Sequence, residues 1–113
     1  MTQKNKKQFG IWMDTQHARI VGRPFGETDT FSVIAVETLE GTQNSPNKFF
    51  KQILTHMQNA EEVHITGIGT SQEQLINFMK ESPQFKNTVT DESTSNKMSD
   101  EKLTEFIATK FPS

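Results

Sequence analysis

The sequence of 113 residues contains no cysteine and no tyrosine, and it has no long apolar run. The lack of cysteine excludes disulfides, thiolate zinc sites and cysteine nucleophiles, and it fits a cytoplasmic protein. No apolar stretch approaches the roughly 18–20 residues of a membrane-spanning helix. No apolar segment follows the first lysines, as a signal peptide would require. We therefore expect a cytoplasmic protein without membrane contact.

Hydrophobic residues are scarce, at 32% of the sequence, which predicts one domain with a thin core. The net charge of −2 argues against tight, nonspecific nucleic-acid binding. The opening segment "MTQKNKKQ" is nevertheless basic. We predict a flexible basic N-terminus at residues 1–8, followed by a single α/β domain at residues 9–113. The terminal lysines are either simply solvated or are phosphate contacts, and the candidates are Lys4, Lys6 and Lys7.

Three apolar, β-branched segments in the first third of the chain predict three strands. They are "FGIWMD" at residues 9–14, "HARIVG" at 17–22 and "FSVIAVETL" at 31–39. The connections between them are short and rich in turn-forming residues. The three strands are therefore expected to form an antiparallel meander.

The remainder alternates between helical and strand patterns. Ser45-Pro46 is a helix start signal, and apolar residues at helical spacing extend this helix to about Asn59. A fourth strand is predicted in "EEVHITG" at residues 61–67, and a second helix from about Ser71 to Lys80. A fifth strand in "TVTDES" and a last helix from about Ser99 complete the chain.

The predicted order β-β-β-α-β-α-β-α implies a mixed five-stranded sheet with three helices. The economical arrangement is a ribonuclease H-like sheet of order 3-2-1-4-5, whereas a ferredoxin-like fold needs the order βαββαβ. Strands one and four are then neighbours at a topological switch point, where open α/β sheets usually bind ligands. The residues expected at this candidate ligand cleft are Asp14, His17, Thr66, Gly67, Gly69 and Thr70.

Metal-dependent nuclease chemistry is not expected at this cleft, because it needs several carboxylates around a metal pair. Asp14 is the one carboxylate expected there, and its structural interpretation is a turn residue that caps the first hairpin. Glu61 and Glu62 lie at the other end of strand four. The histidines are too dispersed for a metal site, and His64, between two apolar residues, fits a satisfied buried histidine. We expect no metal and no cofactor.

The loop "GIGT" at residues 67–70 joins the fourth strand to the second helix. It matches neither a GxGxxG motif nor a Walker loop. It does lead into a helix N-terminus, where unpaired N–H groups can bind an anion. Ser71 fits a capping role, and Thr70 and Ser71 each start a capping-box pattern, with Glu73 and Gln74. The loop is therefore either a capped structural turn or an anion site.

Two segments resemble a known family. "FGIWMDTQHARIVGRPFG" resembles the opening hairpin of the middle domain of peptide-release factors and their Pelota-type relatives. "EEVHITGIGTSQEQLINFMKESPQFKNTV" resembles that domain's later strand, glycine loop, helix and strand. The same two motifs, "IWMDTQHA" and "GIGTSQEQL", resemble small bacterial proteins of the "translational machinery component" class. The resemblance implies a ribonuclease H-like fold and a role in translation.

One departure from the family limits what the resemblance implies. Release factors carry a hydrolytic Gly-Gly-Gln tripeptide, and the nearest counterpart here is "EGTQ" at residues 40–43. We therefore expect a non-enzymatic, translation-associated domain whose partner is RNA or the ribosome. The alternatives are a small-molecule or anion-binding protein, or a small enzyme, that uses the Asp14/His17/Gly67–Thr70 cleft. A third alternative is a homo-oligomer formed through the edge strand at residues 31–39.

Overall fold

The computed structural model describes residues 7–23, 30–39 and 47–111. Helices and strands alternate after an initial run of three strands, and a short 3₁₀ helix at Pro83–Phe85 precedes the last strand. The elements are β1 (Gln8–Met13), β2 (His17–Gly22), β3 (Ser32–Thr38), α1 (Asn47–Leu54), β4 (Glu62–Gly67), α2 (Ser71–Lys80), β5 (Val89–Thr94) and α3 (Asp100–Lys110).

The five strands form one mixed sheet in the order β3-β2-β1-β4-β5, as predicted. β1 pairs antiparallel with β2, and β2 pairs antiparallel with β3. β4 is parallel to both of its neighbours, β1 and β5. The central strand β1 is therefore where the meander meets the crossover half of the sheet.

Helices cover both faces of the sheet because alternate residues of each strand point to opposite sides. On one face, Ile11 and Met13 of β1 join a core that includes residues of α1 and α2. On the other face, Trp12 packs with Leu103 and Ile107 of α3. α3 packs across β1, β2 and β3, and a Cβ at Gly10 would overlap the Ile107 side chain. Gly10 thus allows α3 to approach the sheet closely.

α1 differs from the sequence prediction at its C-terminus. The helix ends at Leu54, whereas the apolar spacing predicted an end near Asn59. After Leu54, the N–H groups of His56 and Met57 bond three residues back, to Ile53 and Leu54, which tightens the chain into a turn. Asn59 then adopts a positive φ of 64°, a conformation that asparagine tolerates and a helix excludes. Met57 lies in this turn and its side chain is buried. Its spacing from Ile53 and Leu54 therefore matched a helix, although the helix has already ended.

The start signal Ser45-Pro46 lies outside the described residues, as do Lys4 and Lys6. The predicted flexible N-terminus and the extent of the single domain therefore stay predictions. No helix in the described ranges is long and apolar enough to cross a membrane.

Candidate functional site

Asp14 follows β1 directly and closes the hairpin to β2. Its Oδ1 accepts hydrogen bonds from the backbone N–H of Gln16 at 2.8 Å and of His17 at 2.7 Å. Partial burial would raise the pKa of Asp14, but these bonds and the nearby His17 side chain together hold it below the usual value. The geometry is that of an Asx turn, which is the structural role considered for Asp14 from the sequence.

His17 lies against the same carboxylate. Its Nδ1 is 3.2 Å from Asp14 Oδ1, and half of the side chain is exposed, at 51%. When Nδ1–H donates to the carboxylate, Nε2 of the neutral ring carries the lone pair. The sequence prediction that His17 sits beside Asp14 is therefore met, and the pair has the form of a histidine oriented by a carboxylate.

The glycine loop lies next to this hairpin because Met13 of β1 pairs with Gly67 of β4. The N–H of Ile68 donates to the carbonyl oxygen of Met13 at 3.3 Å. A Cβ at Gly67, where φ is 155°, would overlap that carbonyl oxygen. Gly69 has a φ of 86° and no described atom within 4 Å of its missing Cβ. The two glycines thus fit the close approach to β1 and the turn into α2.

The start of α2 differs from the prediction of a capped terminus. Thr70 occupies the N-cap position with φ −108° and ψ 7°, and within the described chain its side chain makes no capping hydrogen bond. The prediction that Ser71 is the cap is wrong, because Ser71 is the first helical residue and is buried. The backbone of Thr70 is not in the extended conformation that a capping side chain normally requires.

Thr66 is the candidate cleft residue whose side chain is engaged elsewhere. It is fully buried, and its Oγ1 is 2.8 Å from Ser93 Oγ and 2.7 Å from Ser95 Oγ. These bonds tie β4 to β5. The structure therefore brings His17 against Asp14 and places Gly67 against Met13, the residue before Asp14. The Thr66 hydroxyl is bonded to side chains of β5 and the residue after it.

His64 extends this set of bonds into a chain that sequence reasoning missed. Its Nε2 is 2.8 Å from Ser93 Oγ, so an imidazole and three hydroxyls run along β4 and β5. His64 is only 3% exposed, which agrees with the satisfied buried histidine expected from the sequence. The serines and threonines of β5 were the sequence signal for these bonds. They identify the partners of His64 and Thr66 only once the register His64↔Asp91 and Thr66↔Ser93 is known.

Lys7, a predicted phosphate contact, and His56 are both separate from the cleft. Lys7 is exposed, and its carbonyl oxygen accepts the N–H of Glu61 at 2.8 Å, at the opposite end of the sheet. His56 Nε2 is 2.6 Å from Glu37 Oε2, which links the turn after α1 to β3. Across residues 7–23, 30–39 and 47–111, no three histidine or acidic side chains are grouped so that they could hold a metal ion.

Together, the sheet order and the paired layers of helices define a mixed α/β domain with a switch point between β1 and β4. A solved structure with a similar fold is that of Pelota from Archaeoglobus fulgidus, with a TM-score of 0.64 and 15% sequence identity. The match covers 95% of this chain but 32% of that one, so this chain spans about a third of the length of Pelota. No protein-family model matches the sequence, and no curated protein matches it.

Proposed function

We propose that this chain is a non-enzymatic, translation-associated domain that binds RNA or the surface of the ribosome. The observation that carries the proposal is the fold similarity to one part of Pelota over 95% of the chain. The resemblance of the hairpin and glycine-loop motifs to release-factor middle domains supports it independently of the fold. The absence of a Gly-Gly-Gln tripeptide from the sequence is the reason to propose binding without peptidyl-tRNA hydrolysis.

The positive charges that would contact phosphates include the N-terminal lysines. Lys7 stands at the end of the sheet where β1, β4 and β5 begin. Lys80 and Lys86 line one depression of about 230 Å³ near the C-terminus of α2. Glu81 lines the same depression, so the positive potential is local and weak. Binding through such a surface should depend strongly on salt.

The test is co-sedimentation with ribosomes at low and at physiological ionic strength. Wild-type protein should pellet with ribosomes at low salt and be released as salt rises. The triple variant Lys4→Ala, Lys6→Ala, Lys7→Ala should have an affinity lower by about tenfold, because it loses three charge contacts.

A matched control removes the same charge elsewhere, with Lys48→Ala, Lys51→Ala and Lys102→Ala, all at exposed positions. It should bind almost as wild type does. Failure of wild-type protein to pellet with ribosomes or to bind RNA at low salt would rule out the proposal.

A second candidate function, a small-ligand or anion site at the β1–β4 cleft, is favoured by one specific observation. Asp14 orients His17 at 3.2 Å beside a loop that leads into an α2 N-terminus without a side-chain cap in the described structure. A titration with inorganic phosphate, followed by the backbone amide signals of Gly69 and Thr70, tests it. Saturable shifts that disappear in His17→Gln but persist in His56→Gln would support it, and unchanged amide signals would refute it.

A further inference from the structure

A second depression lies at the other end of the sheet from the candidate cleft. It has a volume of about 370 Å³, which falls within the usual range of small-ligand sites. It opens beside the first residues of β4 and β5 and the end of α3. Its lining residues are Gln8, Glu62, Val63, His64, Val89, Asp91, Lys110 and Phe111. This depression is called the His64 groove below.

The hydroxyl chain determines which nitrogen of His64 carries the proton. Ser93 Oγ donates to Thr66 Oγ1 at 2.8 Å, so it can only accept at its 2.8 Å contact with His64. His64 Nε2 is then the donor, and in a neutral ring Nδ1 is an acceptor. Thr66 Oγ1 also lies 2.7 Å from Ser95 Oγ, a contact in which either hydroxyl can donate.

Two acceptors therefore lie beside each other in the lining of the groove. His64 Nδ1 has no hydrogen-bond partner among the described residues, and Asp91 Oδ2 is 3.7 Å away. The other carboxylate oxygen of Asp91 already accepts the N–H of Glu92 at 3.0 Å. A donor placed between this lone pair and the carboxylate could bond to both.

The imidazole does not readily supply that donor itself. Burial lowers the pKa of His64, the positive charge of Lys110 lowers it further, and Asp91 opposes both effects. A neutral His64 leaves its Nδ1 acceptor and the Asp91 carboxylate open to a donor that enters through the groove.

We propose that the His64 groove binds a primary ammonium group, which donates to His64 Nδ1 and to Asp91 Oδ2. Asp91 supplies the negative charge, and its side chain is 80% exposed, so it is accessible to a ligand. Val89, 62% exposed, and Phe111 supply apolar contacts for the carbon chain of the amine. Lys110 also lines the groove and opposes the ligand charge, which favours a ligand with a single ammonium group.

The same ammonium chemistry could come from a free alkylamine or from a lysine side chain of another protein. Two probes separate these sources: n-butylammonium, and Nα-acetyl-lysine amide, which adds the peptide groups. Each is titrated into isotope-labelled full-length protein and followed by the signals of β5 and of the His64 ring. Tighter binding of the lysine probe would identify a protein lysine as the source, and equal or weaker binding would identify a free amine.

Three substitutions give the expected pattern. Asp91→Asn should weaken binding about tenfold, because it removes the charge-assisted bond. Lys110→Gln should strengthen binding several-fold, because it removes the competing positive charge. Glu92→Gln is the matched control, since Glu92 is adjacent, exposed and on the other face of β5. It should leave the affinity unchanged.

The ring nitrogen signals of His64 provide an independent readout. They should report the neutral tautomer protonated at Nε2 in the free protein. A ring protonated at Nδ1, an absence of saturable binding of either probe, or an equal loss of affinity in Glu92→Gln and Asp91→Asn would each overturn the proposal. These outcomes are independent of ribosome binding, because Asp91 and Lys110 are unchanged in the lysine variants used for that test.

Discussion

At the scale of single residues, Asp14 shows how one side chain can have a structural role at a position that also suits chemistry. Its Oδ1 holds two backbone N–H groups of the turn and lies beside the His17 ring. The turn bonds would be needed in any protein with this hairpin. A functional role for Asp14 therefore has to be separated from its structural one by choosing a substitution that keeps the turn.

Asp14→Ala and Asp14→Asn make this separation. Alanine removes the acceptor for both N–H groups and should lower the free energy of unfolding by about 1–3 kcal/mol. Asparagine keeps the acceptor oxygen and should cost less. Urea unfolding at neutral pH measures both, and an equal loss in the two variants would show that the charge, rather than the turn bonds, matters.

The pH dependence of the same contribution has a defined sign. The pKa of Asp14 in the folded protein is below its ordinary value of 3.8, so the unfolded chain binds the proton more readily. The contribution is therefore complete above the unfolded value and is lost as the pH falls through the folded one. Asp14→Asn should lack this acid-sensitive part.

At the scale of elements, the turn from β4 into α2 is determined by the strand beside it. Gly67 is packed against the Met13 carbonyl oxygen, while Gly69 has open space around its missing Cβ among the described atoms. Both have a positive φ, but only Gly67 also has a steric reason to lack a side chain. The glycine pattern of this loop is thus explained by the contact of Gly67 with β1 and by the positive φ of Gly69, without a phosphate.

Gly67→Ala should consequently be more damaging than Gly69→Ala. The first must move β1 or β4 and should cost about 2–4 kcal/mol, from overpacking and backbone strain together. The second should cost about 1 kcal/mol, from its positive φ alone. Thermal and urea unfolding of both variants measure the difference, and equal losses would contradict the role assigned to the Met13 contact.

At the scale of the whole molecule, the sheet order was predictable from the sequence. The row of hydrogen bonds from His64 to Ser95 was not. Three β-rich segments with short connections, followed by helix–strand alternation, leave few topologies, and Asp14 and Gly67 follow as neighbours from the order alone. The chain from His64 to Ser95 depends on the register of β4 against β5. The His64 groove depends in addition on the path of α3 over β1, β2 and β3. Neither the register nor the path has a local signature in the sequence.

The His64 groove also brings the two limits of the described chain together. Gln8, at the start of β1, and Phe111, just after α3, both line it. A linker between these positions would close the chain without disturbing the sheet, which makes the domain suited to circular permutation and to insertion into a host protein. Conversely, an affinity tag fused directly at Gln8 or at Phe111 would stand at the mouth of the groove. Amine titrations are therefore best carried out on tag-free protein.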